Sequence, residues 1–249
     1  MKPLNIAGAI LLLIMTVTVS PGFSGAIAKQ QDGERVQPFL RQAEAAFSQN
    51  NFALAAQDYL RALKIKPDLA EAHYGLALAQ ARLGNYQEAV NSFKAALHYQ
   101  PGWTRALKDL GVTYLKLGRW GEAENAFKIA LKHQPREPEL FYDLGVAAGK
   151  QGKHKEAREA FEKALRLKPD YVQALNNLGM ADIKLNHWAE AKSSFEKAIG
   201  LKADDPEAHF GLLACYIQQG DSEGAAKTYK TLSTLDKGLT RKADELLGR

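Results

Sequence analysis

Apolar and polar positions along this chain keep one fixed phase: Pro67, Pro101, Pro135 and Pro169 stand 34 residues apart, and the side chains around them repeat with the same step. A small residue recurs at Ala55, Ala89, Ala123, Ala157, Ala191 and Ala225, and an aromatic ring at Tyr59, Phe93, Phe127, Phe161, Phe195 and Tyr229. Two further rows are Ala62, Ala96, Ala130, Ala164, Ala198, closing on Leu232, and Leu76, Leu110, Leu144, Leu178, Leu212. Within one unit, Leu107, Leu110, Gly111 and Tyr114 share one face of a helix predicted over about residues 105–117. Ala123, Phe127, Ala130 and Leu131 mark the buried face of a second helix. It must stop before Pro135, because the residue preceding proline is pushed out of helical geometry. Between the two, Gly118 supplies a left-handed turn, as do Gly84, Gly152, Gly220, Asn50 and Asn186 in the other units. Each unit is therefore a pair of antiparallel helices, and the alanines let their backbones approach closely.

Leu110-Gly111, Tyr114, Gly118, Ala123, Phe127, Ala130 and Pro135 together reproduce the pattern of the tetratricopeptide repeats, which this sequence resembles over nearly its whole length. Six repeats are assigned, at 36–69, 70–103, 104–137, 138–171, 172–205 and 206–239, so that the repeat domain spans 36–239. The end repeats depart from the pattern, as expected where one face meets solvent. The first has Gln42-Ala43 for Leu-Gly, and the sixth has Leu213 for the glycine, Leu232 for the late alanine and Lys237 for the proline. Residues 240–249 read as a short capping helix behind an N-cap at Thr240. The resemblance implies an all-α fold, a right-handed α-solenoid whose first helices line a concave groove.

Ahead of the repeats, Lys2 precedes an apolar run from Ile6 to Val19, and Ala26-Ile27-Ala28 supplies a small-x-small site. Residues 1–28 therefore read as a secretory signal peptide cleaved after Ala28, and residues 29–35 as a linker. The run falls short of the roughly 20 residues a spanning helix needs. An uncleaved N-terminal membrane anchor is the alternative. Secretion, to the periplasm in a bacterial envelope, is the expected location, with no membrane insertion once the signal is removed.

Composition changes this picture little. Hydrophobic residues make up 46% of the chain and charged ones 24%, as in ordinary globular proteins. The net charge of +5 is spread without like-charge runs, and no nucleic-acid partner is expected. The single cysteine, Cys215, excludes an internal disulfide and stands in a small-residue row with Ala79, Thr113, Ala147 and Ala181, where a buried, inert thiol is expected. The six histidines share no common place in the repeat and form no helical metal pair, so no metal is expected. Gly145 to Gln151 is similar to a phosphate-binding loop, but it is one residue short and lacks the closing Ser or Thr. No catalytic residue and no cofactor is assigned, and the chain reads as a non-enzyme.

In the family that this chain resembles, the places two, five, nine and thirteen residues into each first helix point into the groove. The first row is Glu71, Arg105, Glu139, Gln173 and Glu207. The second is Tyr74, Lys108, Tyr142, Asn176 and Phe210. The third, Leu78, Val112, Val146, Met180 and Ala214, is apolar where the family favours asparagine. The fourth, Arg82, Lys116, Lys150 and Lys184, is basic. The clamp by which co-chaperone relatives grip a C-terminal carboxylate is absent, since its places hold Leu40, Glu44, Gly75, Arg105 and Asp109. An apolar stripe with a basic rim suits an extended or helical partner segment with apolar anchors and some acidic residues. The sequence thus reads as a protein-interaction scaffold of the cell envelope, acting in assembly or maturation of a larger complex. A homo-oligomer assembled through the apolar row is the second reading, and an enzyme with an unfamiliar site the third.

Overall fold

The computed structural model describes residues 21–248, with side chains from residue 32 onward. Among these residues every regular element is a helix. The helices are α1 (Pro21–Ser48), α2 (Phe52–Ile65), α3 (Ala70–Arg82), α4 (Tyr86–Tyr99), α5 (Thr104–Lys116), α6 (Trp120–His133) and α7 (Pro138–Lys150). There follow α8 (His154–Leu167), α9 (Val172–Lys184), α10 (Trp188–Leu201), α11 (Pro206–Gln219), α12 (Ser222–Leu235) and α13 (Lys237–Leu246). No helix among the described residues is long and apolar enough to cross a membrane.

Left-handed backbone ends the first helix of every repeat, with φ of +82° at Gly84, +71° at Gly118, +76° at Gly152 and +70° at Gly220. Asn50 and Asn186 take the same conformation at +60° and +62°. Beyond each turn the second helix folds back, and its alanine row seals the pair: Ala55, Ala89, Ala123 and Ala191 are 0% exposed. The ring one helical turn further on, such as Phe127, lies flat over the glycine of the facing helix. A Cβ on Gly111 would sit 2.5 Å from the Phe127 ring, and one on Gly179 2.6 Å from Phe195. The glycines of the Leu-Gly pattern are therefore a packing requirement, because only a bare backbone admits the ring.

Each helix packs on the next in sequence, and the odd-numbered helices also meet one another, α1 with α3, α5 with α7, α7 with α9 and α9 with α11. Among the described residues no comparable contact joins the even-numbered helices. The odd helices thus crowd the inner side of the curve while the even ones splay on the outside, which is the α-solenoid the sequence implied.

The ends differ from expectation. Residues 29–35, read as a linker, continue α1 as helix, and Val36, 1% exposed, begins its contact with the first repeat. Pro38 lies inside this helix. The apolar run of the signal-peptide reading, Ile6 to Val19, lies outside the described residues. At the other end, the cap of α13 is Asp236 rather than Thr240: its carboxylate accepts from the Leu239 N–H at 2.8 Å. Thr240 sits one turn inside and donates to the Asp236 carbonyl at 2.6 Å. Ala243 of α13, 0% exposed, closes the last apolar cluster together with Leu213, Ala225 and Leu232.

Candidate functional site

The concave face is built by α3, α5, α7, α9 and α11, and neighbouring helices are joined there in two alternating ways. Between α3 and α5, the Tyr74 hydroxyl donates to Asp109 Oδ2 at 2.6 Å. Its ring packs on Trp103 with centroids 4.5 Å apart, and the Arg105 guanidinium lies 5.7 Å over it. The same arrangement returns two repeats later between α7 and α9. There Asn177 Nδ2 donates to the Tyr142 hydroxyl at 3.1 Å, Tyr171 packs on Tyr142 at 5.0 Å, and the Lys168 ammonium lies 5.0 Å over the Tyr171 ring.

The two intervening joints are polar. Between α5 and α7 the place of the tyrosine is Lys108, which pairs with Glu139. This ammonium holds the Glu139 carboxyl below the usual carboxylate range. Asp143 takes the place of Asp109 but finds no tyrosine. Burial, with the neighbouring Glu139 and Asp109 charges adding to it, pushes its carboxyl up to about 6. Burial likewise raises Asp109. Between α9 and α11, Asn176 donates from Nδ2 to Asp205 Oδ1 at 3.2 Å, and the same oxygen caps α11 by accepting from the Ala208 N–H at 3.1 Å.

These joints sort the residues expected to face the groove. Tyr74 and Asn176, 8% and 5% exposed, are buried seams between repeats and not open groove contacts, because Trp103 and Asp205, the last residues of their own repeats and the N-caps of α5 and α11, cover them. Phe210 is absorbed in the C-terminal apolar cluster. Tyr142 and Lys108 are half-buried in their joints. Arg105 stays exposed above Tyr74. Leu78, Val112 and Val146 line the floor partly exposed, and Met180 is 41% exposed. Arg82, Lys116, Lys150 and Lys184 project from the last turns of α3, α5, α7 and α9, all exposed. Among the described residues none of the four has a carboxylate within ion-pair distance.

Sequence reasoning missed the covering residues Trp103, Tyr171 and Asp205, which end their repeats at the N-caps of α5, α9 and α11. It also missed Gly149, which stands where the other repeats carry Ala81, Leu115, Ile183 and Ile217. This glycine lines a recess of about 300 Å³ between α7, α8 and α9. Elsewhere, Cys215 is buried and burial pushes its thiol up to about 11, away from nucleophilic chemistry at neutral pH.

A family model of the C-terminal domain of cilia and flagella-associated protein 70, a tetratricopeptide-repeat domain, matches residues 23–211. A tetratricopeptide repeat model matches residues 186–241. No curated protein matches the sequence. Among solved structures the chain is similar to MamA, at 23% identity and a TM-score of 0.66 over 69% of this chain and 94% of that one. It is similar to PilF of Pseudomonas aeruginosa at 20% identity and a TM-score of 0.70, over 85% and 97%. YrrB, whose structure is described as that of a TPR protein with an unusual peptide-binding site, matches at 21% identity and a TM-score of 0.64, over 77% and 100%. At these identities the structures speak to the fold alone, while the family models together span residues 23–241: the chain belongs to the tetratricopeptide-repeat family.

Proposed function

We propose that this protein is an interaction scaffold that holds a segment of a partner protein along its concave face, in the assembly or maturation of an envelope complex. The observation that carries the reading is the pairing of two rows on that face. Leu78, Val112, Val146 and Met180 form a part-exposed apolar floor, and beside it Arg82, Lys116, Lys150 and Lys184 form an edge of four cations with no ion pair among the described residues. Apolar anchors supply affinity and unpaired charge supplies steering and register. The peptide-binding site named for YrrB is consistent with such use of the fold. The envelope setting rests on the N-terminal sequence, and the scaffold role, as opposed to catalysis, on the family's character.

The test is capture from an envelope extract by the purified chain, beside a Lys116→Glu, Lys150→Glu variant, read by mass spectrometry. A partner retained by the native chain and lost with the variant supports groove binding. A partner captured equally by both moves the interaction to the outer face. The exposure of Met180 also favours a second reading, self-association through the floor. A monomer whose sedimentation is independent of concentration removes it.

A further inference from the structure

We infer that the recess at Gly149 is a specificity pocket for one bulky apolar side chain of an acidic partner segment. This rests on the groove-binding reading above and deepens it by naming what the groove selects.

Two glycines of α7 lie one helical turn apart, and they differ in what holds them. A Cβ on Gly145 would stand 2.6 Å from the Phe161 ring, so packing forbids a side chain there. A Cβ on Gly149 would meet nothing closer than the Ala157 Cβ at 3.8 Å, an ordinary contact. The φ of Gly149 is not among the left-handed ones, so its backbone needs no glycine. Folding therefore gives no reason for glycine at 149, where it lowers helix stability relative to alanine. The corresponding places carry Ala81, Leu115, Ile183 and Ile217. Gly149 lines a recess of about 300 Å³ with Val146 and Met180 in its wall and Lys150, Lys184 and His154 around it.

That volume lies at the small end of ligand pockets and suits a single large side chain better than a whole small molecule. The rim decides what carries it. Lys150 and Lys184 are exposed and unpaired, and Lys116 and Arg82 continue the edge along the solenoid. A segment lying along this edge gains by acidic residues flanking its anchor.

The probe is a phage-displayed library of random dodecapeptides, selected on the native chain. A synthetic peptide of the selected consensus is then titrated by fluorescence anisotropy against the native chain, Gly149→Ala, Gly149→Leu and Lys150→Glu, Lys184→Glu. The expected consensus is a Phe, Leu, Met or Trp flanked by Asp and Glu. Gly149→Leu fills the recess and weakens binding about tenfold or more, the lysine pair does the same, and Gly149→Ala weakens it less. Replacing the peptide's apolar residue by Ala should cost much less on Gly149→Leu than on the native chain, because the two changes remove one interaction. Equal costs on both proteins overturn the inference, as does a selection that yields no peptide or one without an apolar anchor. If peptides lose binding to the Lys150→Glu, Lys184→Glu variant but ignore Gly149→Leu, the recess assignment falls while groove binding stands. If they ignore every groove variant, both fall. If the native chain dimerises and Gly149→Leu returns it to monomer, the occupant is a second copy and the inference is overturned. The lysine variants alter only exposed side chains, so they test the rim even if Gly149→Leu fails to fold.

Discussion

The same substitution made one helical turn apart on α7 should have opposite consequences, and the difference isolates close packing from helix propensity. In Gly145→Ala the new methyl would lie 2.6, 2.8 and 2.9 Å from three atoms of the Phe161 ring, where carbon contacts settle at roughly 3.5–4.0 Å. That ring is 3% exposed and held in the interior, so either it or the helix must yield by a substantial fraction of an ångström. Overpacking of this kind costs about 1–3 kcal/mol. In Gly149→Ala the methyl meets the Ala157 Cβ at 3.8 Å, and the change gains up to about 1 kcal/mol from propensity, less where the last turn frays. Propensity acts in the same direction at both sites, so the gap between the variants is chiefly the overpacking cost. Both lie in the repeat at 138–171 and report on the same local unfolding unit, so fraying from the solenoid ends does not separate them. Urea denaturation followed by far-UV circular dichroism reads the gap directly. With a slope of about 2 kcal/mol/M the midpoints should differ by roughly 0.5–1.5 M, Gly149→Ala the more resistant. Coincident midpoints, or the reverse order, would refute the argument that ring contact fixes Gly145 while nothing in the fold fixes Gly149.

Enlarging Ala123, which is 0% exposed, to Leu should cost about 1–3 kcal/mol and split the thermal melt into two transitions as the flanking repeats uncouple; a single unshifted transition on calorimetry contradicts this. Asp143→Asn tests the raised carboxyl. A proton held more tightly in the folded state contributes stability below about pH 4, and that contribution is lost as pH rises through about 6. The Asn variant should therefore match the native chain near pH 4 and exceed it by ~1–2 kcal/mol near pH 8; an advantage that does not change over that window rejects burial as the cause. Arg158→Ala strips the Asp182 carboxylate, 1% exposed, of a 2.7 Å hydrogen bond and leaves it only His187 at 3.5 Å. A loss of about 1–3 kcal/mol in urea titration, partly restored by Lys, is expected, and no loss would mean the pair contributes nothing net.

The repeat, its boundaries and its interior were legible because each is fixed within 34 residues: a glycine or asparagine turn, an alanine seam and a proline stop act inside one unit. The helix predicted over about 105–117 is α5, Thr104–Lys116, one residue earlier at each end. The groove was only half legible. The apolar floor residues stay at least part-exposed and the basic ones exposed, but Tyr74 and Asn176 did not stay open, because Trp103 and Asp205, the last residues of the same repeats, close over them. The repeat pattern leaves that last place unspecified, with Leu69, Trp103, Glu137, Tyr171 and Asp205 in turn, so it does not announce the cover. The linker reading of residues 29–35 rests on their place between the signal peptide and the first repeat, whereas α1 runs through them and through Pro38, and Val36 is buried in the first apolar cluster. The N-cap of α13 was displaced because Asp236, four residues before Thr240, offers its carboxylate directly to the Leu239 N–H.

Folding accounts for much of the groove's charge without any partner. Asp109 and Asp143 lie in the first halves of α5 and α7, and Lys116 and Lys150 in their last turns, about 10 Å further along each axis at 1.5 Å per residue. Acid toward the N-terminus and base toward the C-terminus is the arrangement that complements each helix dipole. A consequence for any ligand is that the edge at the last turns is basic while the opposite edge is mixed, with Arg105 and Lys108 beside Asp109 and Asp143, so a charged segment laid between them has a preferred orientation. The alternating seams are also explained by folding, since Tyr74 and Tyr142 join helices and are thereby removed from the surface available to a partner. Neither argument reaches the floor. Helix stability disfavours Gly149, close packing does not require it, and Met180 beside it keeps 41% of its surface in water at some hydrophobic cost. Gly149 is one place where sequence and fold disagree, and such disagreements in natural proteins concentrate where something other than folding is being selected.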